Sequence, residues 1–135
     1  MNNVVRKGIT LGVLLLAIGC AHVDILPVKP NALVIAEDGE ARMTIVVSSD
    51  ASPATRYAAE ELQRFLGEMT HAEIPLTTDD APPAPSEIWV GESKRLHNAN
   101  ILIDYEILGN EGYVIRTRDP HIFIAGGEPD RKSVV

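Results

Sequence analysis

Residues 52–70, SPATRYAAEELQRFLGEMT, decide the fold. Ser52 is placed to cap a helix, and Pro53 suits its first turn because proline lacks the amide hydrogen that would go unsatisfied there. Ala58, Leu62, Phe65, Leu66 and Met69 recur at helical spacing and make one apolar face, while Arg56, Glu60, Glu61, Arg64 and Glu68 mostly occupy the other. Such a helix gains its stability by laying its apolar stripe on another element, and the short Val- and Ile-rich runs on either side of it predict a sheet. Burying Leu62, Phe65 and Leu66 contributes roughly 1.5–3 kcal/mol each, so Phe65→Ala is expected to destabilise strongly.

Upstream of the helix, Ala32 to Ala36 and Met43 to Val47 read as two strands separated by the polar stretch Glu37-Asp38-Gly39-Glu40. Downstream, Ile74 to Thr77 is a further short strand, and the Pro-rich stretch Asp79 to Ser86 is an exposed loop. Ile88 to Gly91 resumes strand character, Ser93 to Asn98 reads as a short helical turn, and Ile101 to Leu108 is mixed. Gly112 to Thr117 alternates like a half-buried strand, and the turn Arg118-Asp119-Pro120-His121 leads into a returning strand, Ile122 to Ala125. Gly126-Gly127-Glu128-Pro129-Asp130 reads as a loop opening a second helix, with Val134 and Val135 as its first apolar positions. The reading is an α/β (α+β) domain. A mixed or antiparallel sheet carries one long amphipathic helix, and a C-terminal helix is cut short, as in a partial reading frame.

Residues 1–20, MNNVVRKGITLGVLLLAIGC, have the layout of a secretion signal: basic Arg6 and Lys7, then an apolar run from Ile9 to Ile18. That run is too short to span a hydrocarbon layer about 30 Å thick at ~1.5 Å per residue. Residues 1–19 are therefore read as signal, 20–31 as a tether containing Pro27 and Pro30, and 32–135 as the domain. Ala17-Ile18-Gly19-Cys20 resembles the lipobox of bacterial lipoproteins, which implies lipid attachment at Cys20. Plain secretion is the rival reading, and Ala21 after Cys20 leans toward the outer membrane. Cys20 is the only cysteine, so an intrachain disulfide is excluded.

The formal net charge is −7, and the pairs Lys94-Arg95 and Arg131-Lys132 sit among carboxylates, so nucleic acid is not expected as a partner. Candidate chemistry is sparse. Asp79 and Asp80 are adjacent carboxylates in a Pro-rich loop that would not hold a fixed separation, and a solvated loop is the expected role. Glu60 and Glu61 point about 100° apart on a helix. His22, His71, His97 and His121 are scattered without zinc-ligand spacing and read as surface residues, so no metal or cofactor is implied. Trp89 either packs against the sheet or a neighbouring domain or stacks on a sugar ring. Arg116 and Arg118 form either a solvent face or a contact to a partner domain or carbohydrate.

Three stretches in order carry a resemblance: Tyr57 to Leu66 running into Met69-Thr70, then Ile88-Trp89-Val90-Gly91, then Gly112 to Thr117 followed by Ile122 to Gly127. This pattern resembles the N-terminal α/β domain of bacterial α-glucuronidases, similar in outline to the non-catalytic domain preceding the barrel of β-N-acetylhexosaminidases. The resemblance implies a domain packed beside a TIM barrel. His71 departs from the glycine common at the end of the family's helix, but histidine tolerates a left-handed conformation at some cost. The barrel, at typically ~250 residues, does not fit in 135 residues, and its paired carboxylates have no counterpart here. The implied function is a non-catalytic accessory domain of a membrane-anchored glycoside hydrolase in polysaccharide catabolism. Its partners would be the membrane, a C-terminal catalytic barrel and a polysaccharide. A free-standing lipoprotein module that binds a glycan or a protein is the alternative.

Overall fold

The computed structural model describes residues 32–127. The signal, Cys20, the tether and the helix expected after Gly127 lie outside the described residues.

The helix α1, Pro53–Thr70, starts as its sequence demands: the Ser52 hydroxyl accepts from the Thr55 N–H at 3.1 Å. It ends at His71, which adopts the left-handed conformation (φ 55°, ψ 21°) and donates its N–H to the Gly67 carbonyl at 2.8 Å. The turn expected there survives without glycine.

Among the described residues, seven strands form two sheets. A small hairpin joins β1, Ala36–Glu37, to β2, Glu40–Ala41. Its two turn residues, Asp38 and Gly39, both have positive φ (53° and 77°), as a tight turn of this hand requires. The strand expected over Ala32 to Ala36 is therefore reduced to its last residue, because Asp38-Gly39 folds the chain back on itself before it can join the main sheet. That sheet is mixed, with order β4-β3-β5-β7-β6. Its strands are β3, Thr44–Val47, β4, Leu76–Thr78, β5, Glu87–Val90, β6, Tyr113–Arg118, and β7, His121–Gly126. The pairs β3–β4, β3–β5 and β5–β7 are parallel, and the hairpin partners β6 and β7 are antiparallel.

Strand alternation creates a core on each face. On one face Ile45, Val47, Ile88 and Val90 pack with Ala59 of α1 and with Ala72 and Ile74. On the other, Val46, Trp89 and Phe123 pack with Leu96 of the short helix α2, Lys94–Asn98, and with Ile101 and Ile103 ahead of α3, Tyr105–Leu108. The central strands are thus covered on both sides, which explains their unbroken apolar runs. Gly91 closes β5 beneath the start of α1. It has φ +73°, and a Cβ there would stand 2.6 Å from the Thr55 Cγ2.

The helix docks on a different line from the one its pattern suggested. Ala59 is fully buried and Leu62 and Leu66 are half-buried, while Phe65 is 50% and Met69 77% exposed. Small Ala59 lets the helix axis approach β3 closely, which rotates Ala58, Phe65 and Met69 to the flank and draws Arg56, expected on the polar face, into partial burial. The Arg64 guanidinium covers the Phe65 ring, 4.0 Å from its centroid.

The energetic ranking changes accordingly. In urea unfolding, Ile45→Ala, at a site with no exposure, is expected to cost about 2–5 kcal/mol. Phe65→Ala is expected to cost about 1 kcal/mol or less. A Phe65→Ala cost equal to that of Ile45→Ala would contradict the observed docking.

Candidate functional site

The densest polar arrangement surrounds Glu87, at the start of β5. Its carboxylate is almost wholly buried (1% exposed), and both oxygens are occupied. Oε1 accepts the Ala84 N–H at 2.8 Å, and Oε2 accepts the Trp89 indole N–H at 2.7 Å and the Arg95 Nε at 3.1 Å. Arg95, from α2, also donates to the carbonyls of Ala81 at 2.7 Å and Asp79 at 3.4 Å. One guanidinium therefore ties the Pro-rich loop to the back face of the sheet. The Glu87 N–H donates to Nδ1 of His121 at 3.2 Å, and that ring stacks on Trp89 with centroids 4.6 Å apart. His121, expected as a surface residue, is half-buried in this knot, whereas His71 and His97 are exposed.

Asp79 corrects the expectation of a solvated loop. It is 4% exposed, with Oδ1 accepting the Ser49 N–H at 3.0 Å and Oδ2 the Lys94 N–H at 2.9 Å. The loop is fixed because this carboxylate bridges the end of β3 to the start of α2. Burial pushes the Asp79 carboxyl up, but the N–H groups of Lys94 and Ser49 and the Lys94 charge outweigh it and hold it below the usual carboxylate range. Asp80 stays on the surface as an ion-pair partner of Lys94. The hydrogen bond from the Lys94 side chain, helped by Ser49, lowers the Asp80 carboxyl, and Asp80 in turn raises the Lys94 ammonium.

Asp79 and Glu87 are not placed to act as the acid and base of glycosidic chemistry. A general acid needs a raised pKa and an oxygen facing its substrate. Asp79 is shifted the other way, and the oxygens of Asp79 and Glu87 are engaged by the loop, the helix and the sheet. Glu61, the one α1 carboxylate of the adjacent Glu60–Glu61 pair with a partner, holds Arg64 at 2.9 Å. Among the described residues no group of three or more His, Cys, Asp or Glu side chains is arranged to hold a metal ion, and no helix is long and apolar enough to cross a membrane.

Of the residues singled out from sequence, Trp89 is 4% exposed and held by Glu87 and His121, the packing role of its two readings. Arg116 and Arg118 lie on the same face of β6, opposite Phe123 and His121 of β7. Arg116 lines an open cavity of about 320 Å³ with Asp104, Ile107 and Leu102, of which Ile107 and Leu102 are 82% and 93% exposed. The structure therefore separates Trp89, inside the back-face core, from the two arginines, on its rim. Cys20 lies outside the described residues. Sequence reading missed Glu87 and Arg95: a lone glutamate before Ile-Trp-Val looks like the polar start of a strand, and nothing in the spacing announces an arginine eight residues later as its partner.

The family model for the Glycosyl hydrolase family 67 N-terminus matches residues 32–131. Neither a curated protein nor a solved structure matches the chain.

Two outcomes test the structural role of these carboxylates. Glu87→Ala strands a buried guanidinium and is expected to cost about 3–5 kcal/mol in chemical denaturation, with a changed Trp89 emission. For Asp79, whose folded carboxyl lies below its ordinary value of 3.8, the contributed stability is fully present above that value and is lost as pH falls through the folded one. Melting temperature should therefore drop more steeply below about pH 4 in the natural chain than in Asp79→Asn, which is less stable at pH 7 and flatter in acid. Parallel acid profiles would contradict this role.

Proposed function

Because the chain belongs to the Glycosyl hydrolase family 67 N-terminus family, we propose that it is the non-catalytic accessory domain of a membrane-anchored hydrolase of α-glucuronidase type, acting in polysaccharide catabolism. The observation that carries the non-catalytic half of this reading is the state of the buried carboxylates: Asp79 and Glu87 are consumed in holding a loop. A hydrolytic centre needs two carboxyl groups flanking an open substrate site. Such a centre belongs in a barrel of typically ~250 residues, more than this sequence can hold.

The anchoring half rests on the sequence. Arg6-Lys7, the apolar run and Cys20 fit a lipoprotein signal, and two or three acyl chains at ~0.8 kcal/mol per buried methylene would hold the domain on a bilayer. The rim of Leu102, Ile107, Arg116 and Arg118 is the surface proposed to meet the catalytic domain, with apolar area for burial and two guanidiniums for acidic partners.

The purified chain is expected to release no uronic acid from glucuronosyl-substituted oligosaccharides above the uncatalysed rate, and measurable turnover would overturn the non-catalytic assignment. Cells fed a labelled fatty acid should yield labelled protein that becomes unlabelled on Cys20→Ser. An unlabelled natural chain would overturn the anchor.

A further inference from the structure

His121 opens β7, and its ring takes the place of a strand partner. The β5–β7 pairing begins at Ile88 and Ile122. One residue earlier, the Glu87 N–H donates to a side chain, Nδ1 of His121, at 3.2 Å. A ring nitrogen that accepts carries no proton, so this bond selects the neutral imidazole with its hydrogen on Nε2. The same ring stacks on Trp89, with centroids 4.6 Å apart and planes 25° from parallel.

Adding one proton changes what the ring can do. Both nitrogens of an imidazolium are donors. Nδ1–H then meets the Glu87 N–H with no acceptor between them, and leaving a buried donor unpaired is costly. Glu87 is 1% exposed, which leaves little room for water to replace the lost acceptor.

The charged groups around the ring come from three strands and a helix. They are Glu87 of β5, Arg95 of α2, which reaches Glu87 Oε2 at 3.1 Å, Arg118 of β6, opposite His121 in register, and Asp119 in the turn before β7. Between Ala81 and Ser86 the Pro-rich loop has no titratable side chain. The Glu87 carboxylate shares a partner with the ring, since Oε2 holds the indole on which His121 stacks. The loop is tied to that same carboxylate, through the Ala84 N–H on Oε1 and through Arg95, which spans to the Ala81 and Asp79 carbonyls.

We propose that His121 is a proton-operated catch for the Pro-rich loop. Protonation of Nδ1 ends its bond to the Glu87 N–H, makes the imidazolium a competitor for the Glu87 carboxylate, and frees the Ala84 end of the loop while the sheet stays folded. Histidine is the side chain whose ordinary charge change falls between about pH 5 and 8, where ordinary carboxylates are mostly ionised. The sheet outlasts the release because its other face does not involve the ring. Ile45, with no exposure, belongs to the α1 layer, and its N–H is held by the Pro75 carbonyl at 2.8 Å. The inference concerns the control of one loop and holds whatever the parent protein does.

The test uses the full chain and two readouts between about pH 8 and 5.5. Trp89 is the only tryptophan, and a positive charge stacked on an indole quenches its emission, so emission should fall in a single one-proton transition. By amide hydrogen exchange, the protection of the Ala84 N–H, corrected for the intrinsic effect of pH, should drop severalfold across the same range, the size expected for losing one or two hydrogen bonds. Protection of the Ile45 N–H should stay constant. His121→Asn keeps an acceptor that does not titrate, so its emission should be flat and Ala84 protected throughout. His121→Phe keeps a ring without an acceptor and should leave Ala84 weakly protected at both ends. An emission transition that survives in His121→Asn belongs to another histidine and would overturn the proposal. So would constant Ala84 protection in the natural chain, or loss of Ala84 and Ile45 protection together, which would report global unfolding.

Discussion

Everything in this fold depends on the two-sided burial of β3 and β5. Ile45, Val47, Ile88 and Val90 face α1, while Val46 and Trp89 face α2 and the segment ahead of α3. A parallel pair has no tight turn to set its register. The register of Ile45 on Ile88 and Val46 on Trp89 is therefore held by side chains, since a one-residue slip would turn each strand's residues toward the wrong layer. The helix crossing from β3 to β4 and the long excursion from β5 to β7 are the covers that this arrangement requires.

The polar interior follows from the same need. The return from β4 to β5 runs through a stretch with three prolines, which cannot hydrogen-bond to itself as regular structure. Two of its carbonyls, Asp79 and Ala81, instead accept from Arg95, and its ends are fixed by Asp79 and Glu87. A buried ion pair of this kind is weak evidence for net stability, since desolvation opposes the Coulombic gain. What it provides is definition: the loop has one conformation, and Trp89 has one orientation. Groups so completely engaged are poor candidates for chemistry, and Asp79, expected from sequence in a solvated loop, is with Glu87 a fastener of that loop.

Much of the architecture was legible in the sequence because it follows local rules. Ser52-Pro53 and the helical period gave α1, the alternation around Arg118–His121 gave the last hairpin, and the order of apolar runs gave the strands. The rotation of α1 was not legible. Leu62 and Leu66 are shared by two adjacent stripes, and only the close approach permitted by Ala59 selects between them. Nor was the burial of Asp79, whose partners Ser49 and Lys94 lie 30 and 15 residues away in sequence. A composition rule that reads proline and aspartate together as solvent-facing loop has no access to such distant amides. The family resemblance was carried by order and spacing of segments, a signal that survives where single residues say little.

Among the described residues, β6 lies at the end of the sheet, with one row of its backbone donors and acceptors facing no neighbouring strand. Such a border invites unwanted pairing between molecules, and charged side chains projecting beside it are the usual deterrent. Arg116 and Arg118 sit on this strand, and their charges oppose growth into larger β-assemblies. Replacing both with apolar residues to enlarge the neighbouring greasy surface would therefore trade solubility for adhesion.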